Sequence, residues 1–188
     1  MPLFASGRER RLWLWTLAVV VAIYATIGFG STVAGVLREG GLIEAALFLG
    51  AMCLVGATVV AQGLRARPGG VEVAVALGVA VVYLLVLMRV ASPVERSHLI
   101  EYSVLAVFLY EALTERASHG RRVPLPAVLA VLATALVGAV DEVIQLLVPS
   151  RVFDPVDIVF NALAAVMAVA ASAALGWARR RRGETARD

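Results

Sequence analysis

Two short stretches carry side chains capable of chemistry in an otherwise apolar chain. The first runs from Asp141 to Asn161 (DEVIQLLVPSRVFDPVDIVFN) and holds Asp141, Glu142, Gln145, Arg151, Asp154, Asp157 and Asn161. The second is Ser97-His98-Leu99-Ile100-Glu101-Tyr102. Asp141 and Gln145 are four apart, as are Asp157 and Asn161, while His98 and Glu101 are three apart. Each pair therefore shares one face of a helix. A carboxylate facing an imidazole can act as general acid and base, and a guanidinium can hold a phosphate bidentately. Glu142 is the residue on which most is expected to depend. Desolvation and the neighbouring Asp141 both disfavour its charged form, unless Arg151 or His98 offsets them.

The elements that must position these groups are long apolar runs. The chain has 188 residues, 61% hydrophobic and 16% charged, with mean hydropathy +0.87. A soluble domain is about 45–50% apolar, and a spanning helix needs about 20 apolar residues. Six runs qualify: Leu12–Leu37, Leu42–Leu64, Val71–Met88, His98–Leu113, Val123–Leu147 and Val156–Trp177, the fourth only when His98 and Glu101 count within the span. Pro149 ends the fifth. The expected fold is all-α, a polytopic transmembrane helical bundle in a single domain over 1–188, with a basic cytoplasmic tail at 178–188. Residues Met1–Ala34 also fit a cleaved secretory signal, with Arg8, Arg10 and Arg11 before an apolar run. That run exceeds the 7–15 residues of a signal core, so a retained first helix is preferred.

Ionisable groups within such segments cost a few kcal/mol on insertion scales, so they need partners or a purpose. The net charge of +3 and pI near 9.6 do not point to nucleic acid. Every basic residue is Arg, and the arginines cluster at the ends of apolar runs, a pattern that orients spans rather than lining a phosphate groove. With six helices and both termini on one side, that side holds thirteen arginines: Arg8, Arg10, Arg11, Arg65, Arg67, Arg116, Arg121, Arg122, Arg179, Arg180, Arg181, Arg182 and Arg187. The other holds four: Arg38, Arg89, Arg96 and Arg151. Positive residues stay inside, so both termini are expected in the cytoplasm. The two chemical stretches then meet at the outer face. Cys53 lies in mid-segment and reads as packing.

The same residues carry a resemblance to the VanZ-like family of bacterial membrane proteins. His98-Leu99-Ile100-Glu101-Tyr102 with Leu105 resembles the family's H-F-x-E-Y-x-x-L helix entry. Asp141-Glu142-x-x-Gln145, Pro149-x-Arg151 and Asp157-x-x-x-Asn161 resemble its D-E-x-x-Q…P-x-R…D-x-x-x-N block. The likeness covers about residues 70–175. Ala164 stands where the family often has Gly, and Arg96 is the cation nearest the position of its usual Lys before the His. The resemblance implies an envelope protein of the bacterial inner membrane, some relatives being associated with resistance to the glycopeptide teicoplanin.

Several of these residues have plainer readings. Asp154 before Pro155 is a helix N-cap with a first-turn proline, and Asp157 then either supports that cap or faces Asn161. Arg151 either neutralises Asp141, Glu142 or Asp157 or holds an anion. Gln145 and Asn161 can form interhelical hydrogen bonds, worth only about 0.6 kcal/mol each in bilayers. His98-x-x-Glu101 is a thin ligand set with His119 expected at the other side, so no metal is expected. Small residues in the sixth run (Ala162, Ala164, Ala165, Ala168) and Gly28-Phe29-Gly30 read as packing. P-loop, G-x-S-x-G, C-x-x-C and Rossmann patterns are missing from the sequence, and no cofactor is expected. Three functions follow in order. The first is an outward polar pocket, with Gln145, Arg151, Asp157, Asn161 and Tyr102 binding a lipid head group, a lipid-linked cell-wall precursor or a glycopeptide. The second is a membrane enzyme on a lipid-linked substrate, with Glu142 and His98 as acid–base groups and Glu101 and Asp141 as further candidates. The third, a small carrier, requires polar groups in both leaflets, whereas the sequence concentrates them in one. The sequence leaves the oligomeric state open.

Overall fold

The computed structural model describes residues 3–37, 69–89, 93–147 and 153–185. The expected span Leu42–Leu64, with Cys53, Pro149 and Arg151, lies outside the described residues. All regular structure among the described residues is helical: α1 (Gly7–Leu37), α2 (Gly70–Arg89), α3 (Pro93–Ser118), α4 (Pro126–Gln145) and α5 (Pro155–Thr185). By length and composition, α2, α4 and residues Pro155–Arg181 of α5 can each cross a membrane.

The helix ends follow local chemistry. The Ser6 hydroxyl accepts the Glu9 amide at 2.9 Å, an N-cap that starts α1 five residues before the apolar run. Glu72 reaches back to the Gly69 amide at 2.9 Å and starts α2. α3 is longer than its apolar run at both ends. Pro93 suits a first helical position, and the Glu111–Ser118 turns consist largely of good helix formers. α4 begins later than expected, because Pro126 occupies its first turn after Leu125 at φ 46°. α5 continues through Arg179–Arg182. Arginine is a good helix former, so the apolar run ends before the helix does.

The chain divides into two compact units, Met1–Ala34 with Val94–Ala170, and Gly35–Pro93 with Ala171–Asp188. In the second, Glu72 at the start of α2 faces Arg179 of α5 at 3.5 Å, and Arg181 lies 5.0 Å over the Trp177 ring. In the first, α1 and α3 run antiparallel. Glu9 pairs with Arg116 at 2.8 Å, and one end-to-middle step away Trp15 stacks on Phe108 at 6.3 Å. The Tyr24 hydroxyl donates to the Val137 carbonyl at 3.2 Å and ties α1 to α4. The Ser103 hydroxyl donates to the Ala164 carbonyl at 3.5 Å and ties α3 to α5.

Within this unit α4 is built inside out relative to a soluble helix. Thr134, Gly138, Asp141, Glu142 and Gln145 are buried, while Leu132, Leu136 and Val143 are exposed. Polar groups turned inward and large aliphatics turned outward are what an apolar solvent selects. Gly138 makes the α4–α5 seam close. A Cβ there would stand 2.9 Å from both Cβ and Nδ2 of Asn161. Gly138→Ala is therefore expected to destabilise the protein by about 1–3 kcal/mol through forced overpacking. Thermal unfolding in detergent measures it, and an unchanged midpoint would show the seam to be looser than described.

Candidate functional site

Three helices of the first unit bring the two chemical stretches to one end. His98 enters on the second turn of α3 and is buried. Its Nδ1 lies 3.9 Å from Asp157 Oδ2 in the first turn of α5. Glu142, fully buried in the last turn of α4, completes the group. One ligand-capable atom from each of His98, Glu142 and Asp157 lies within 4.8 Å of the others.

The geometry of each member is held from behind. Asp154 caps α5: its Oδ1 accepts the Val156 amide at 2.8 Å and its carbonyl accepts the Asp157 amide at 3.1 Å. That cap fixes the turn on which Asp157 sits. The Asp154 amide in turn donates to Glu142 Oε2 at 3.2 Å, and Gln145 Nε2 donates to Glu142 Oε1 at 3.3 Å. Both donors are neutral, so Glu142 is oriented without being neutralised by them. The His98 ring meets Tyr102 edge-on, with centroids 5.8 Å apart and planes at 79°. Tyr102 is itself fully buried, which fixes the imidazole plane.

The other expected residues fall around this centre. Gln145 Nε2 also donates to Asp141 Oδ2 at 3.2 Å. Its amide therefore works within α4 and organises both acidic neighbours, in place of the interhelical bond the spacing allowed. Asp141 is buried beside the Tyr102 hydroxyl. Glu101 is half-buried on α3. Asn161 is fully buried one turn further along α5, against Gly138, which is one turn before Glu142. Moving four residues on in α4 and four back in α5 takes Gly138–Asn161 to Glu142–Asp157. Asn161 is the floor of the seam whose rim is the acidic pair. Arg151 lies outside the described residues.

Sequence reading missed two contributors. Gly138, four residues before Glu142, permits the close seam, and a helical glycine at that spacing was the available signal. The Asp154 backbone amide orients Glu142, and no residue type announces a backbone donor.

His98 and Tyr102, Asp141 to Gln145, and Asp157 to Asn161 all fall within a match to a known family. The VanZ/LLP1 family model covers residues 73–176. The chain belongs to the VanZ/LLP1 family. No curated protein and no solved structure matches it. The VanZ/LLP1 match thus spans α2 to α5, while α1 lies before it. In this VanZ/LLP1 member, Ala164 is fully buried and its carbonyl receives Ser103. Alanine is small enough for close packing at that point.

A second charged group occupies the opposite end of the same unit. Along α3, His98 and Arg116 are separated by about 27 Å at 1.5 Å per residue. Arg116 pairs with the fully buried Glu9, while Arg8 bridges Glu111 and Glu115, each at 2.8 Å. Between these ends α1, α3, α4 and α5 carry no charged residue from Leu12 to Ala34, Tyr102 to Tyr110, Pro126 to Val140 or Ile158 to Ala170. The charge-free interval approaches the roughly 30 Å of a bilayer core.

Proposed function

We propose that this VanZ/LLP1 protein is a multi-pass protein of the bacterial inner membrane, crossing about six times with both termini in the cytoplasm. In this reading the seam between α3, α4 and α5 opens outward. It binds the polar end of an envelope component: a lipid head group, a lipid-linked cell-wall precursor or a glycopeptide such as teicoplanin. The observation that carries the reading is the convergence of His98, Glu142 and Asp157 at one end of a unit whose other end holds Glu9 and Arg116. The expected division of thirteen arginines against four supports a cytoplasmic position for that other end. The antiparallel α1 and α3 agree with an even number of crossings between them.

The catalytic alternative draws on the same group. A buried carboxylate within reach of an imidazole is the arrangement general acid–base transfer requires, and a lipid-linked substrate in the outer leaflet would present its polar bonds at that depth. One comparison separates binding from chemistry. Wild type, Glu142→Gln and Glu142→Ala are expressed in a strain lacking the native protein, and teicoplanin susceptibility is scored beside folded yield. The proposal expects Ala to abolish any protection at normal yield. Retention by Gln favours a binding pocket, because the amide keeps shape and hydrogen bonds while losing charge. Loss with Gln favours acid–base or ion-binding chemistry. Protection unchanged in both variants would overturn the assignment of this seam as the functional site.

A further inference from the structure

We infer that His98, Glu142 and Asp157 form a binding site for a divalent first-row transition metal ion, of which Zn2+ is the representative. The set has the right chemistry: one imidazole nitrogen and two carboxylate oxygens, donors that suit zinc and its neighbours rather than Mg2+ or Ca2+, which prefer oxygen alone. It also has the right spread. Zinc bonds of about 2.0–2.2 Å in a tetrahedron place donor atoms about 3.3 Å apart. The three atoms already lie within 4.8 Å of one another, and His98 Nδ1 to Asp157 Oδ2 is 3.9 Å. Small rotations of terminal torsions close the difference.

Three further features fit an ion better than an internal polar cluster. First, each donor has the outer support that metal ligands receive. Gln145 and the Asp154 amide hold Glu142, the Asp154 cap fixes the turn bearing Asp157, and Tyr102 fixes the imidazole plane. Second, Glu142 is 0% exposed, and its hydrogen-bond donors among the described residues are both neutral. With Asp141 and Asp157 close by, the buried negative charge is concentrated, and a dication at the centre inverts the local field. Third, Asn161 lies one turn away in the same seam at 0% exposure, and among the described residues neither its Oδ1 nor its Nδ2 has a hydrogen-bond partner. A buried amide without partners is costly. A further polar group entering this seam would satisfy that amide.

Three protein donors leave at least one coordination position open, the arrangement of zinc sites that bind a further molecule. The site would therefore present a Lewis-acidic centre where the residues alone present a negative one. An anionic head group is repelled by the Glu142 and Asp157 carboxylates and attracted once the ion is bound. The metal site itself stands whichever ligand the protein takes.

The test uses tag-free full-length protein in detergent, stripped with EDTA and titrated with ZnCl2 by calorimetry. The expected result is one Zn2+ per chain, weakened at least about tenfold by each of His98→Ala, Glu142→Gln and Asp157→Asn. His119→Ala, at an exposed position on the other end of α3's unit, leaves binding unchanged. Zn2+ also raises the thermal midpoint of wild type and not of the three variants. The inference is overturned if wild type takes up no Zn2+, if the three variants bind it as tightly, or if His119→Ala removes it. Should a variant fail to fold, Co2+-loaded wild type decides. A tetrahedral visible spectrum displaced by Zn2+ supports the site, and a spectrum of hydrated Co2+ overturns it. Because this readout needs no cellular phenotype, its failure is distinct from failure of the teicoplanin assay.

Discussion

Arg116→Ala is expected to lower folded stability by about 3 kcal/mol, and Glu9→Gln added to it to restore most of that loss. Glu9 is fully buried and accepts from Arg116 Nη1 at 2.8 Å. Its other oxygen accepts the Ala5 amide at 2.5 Å. Removing the guanidinium leaves a buried anion with only neutral donors, whereas neutralising both partners leaves a hydrogen-bonding amide. The effect is kept to the lower end of the range for buried pairs because Arg116 retains 31% side-chain exposure. Acid provides a second arm. Burial works against the charge on Glu9, but the Ala5 amide and Arg116 outweigh it and hold its carboxyl below the ordinary value. The Ser6 hydroxyl and Arg8 do the same for Glu115. Both groups thus bind protons more readily when unfolded. Their stabilisation is present above the ordinary carboxylate pKa and fades as pH falls through the lower folded values. Unfolding midpoints followed from pH 7 down to about pH 3 should fall less steeply in the double variant than in wild type. Equal slopes, or a neutral Arg116→Ala, would show the pair to be solvated.

The helical architecture was legible because apolar runs bounded by Arg, Gly and Pro leave little choice of element. Boundaries were not, since hydropathy reports where a helix meets lipid and not where its hydrogen bonds stop. Arg179–Arg182 and Glu111–Ser118 extend helices that the apolar runs end early. The Ser6 cap, which begins α1 before its apolar run, was likewise invisible to hydropathy. At the site, helical spacing placed Asp157 with Asn161 and Asp141 with Gln145, and the Asp154–Pro155 pair announced its cap. Spacing within one helix cannot report contacts between helices. His98 was weighed as a ligand with its own neighbour Glu101, whereas the structure sets it against Glu142 and Asp157 from two other helices. Gln145, whose position also allowed an interhelical bond, folds back onto its own helix. The antiparallel register of α4 and α5 decides this. Gly138 admits Asn161 at this seam, a contact between residues that stand 23 positions apart in the sequence.

Tyr102→Ala is expected to cost about 3–5 kcal/mol, the usual range for deleting a buried aromatic ring, while Tyr102→Phe should be close to neutral. Tyr102 is the largest of the fully buried side chains among the described residues, and its ring meets the His98 imidazole edge-on. Removing the ring opens a cavity in the α3 seam and frees the imidazole to rotate away from Glu142 and Asp157. The hydroxyl alone is a different matter. It lies beside the Asp141 carboxylate with no well-formed hydrogen bond among the described residues, so its loss removes a poorly satisfied buried polar atom. Unfolding in detergent measures both variants. Teicoplanin susceptibility then separates packing from chemistry. If the ring only positions His98, Tyr102→Phe behaves as wild type in both assays. A Phe variant that folds normally yet loses function would mean that the hydroxyl meets the ligand or carries a proton. The working centre would then extend from Glu142 to Asp141, and the buried tyrosine would belong to the reacting groups rather than to their support.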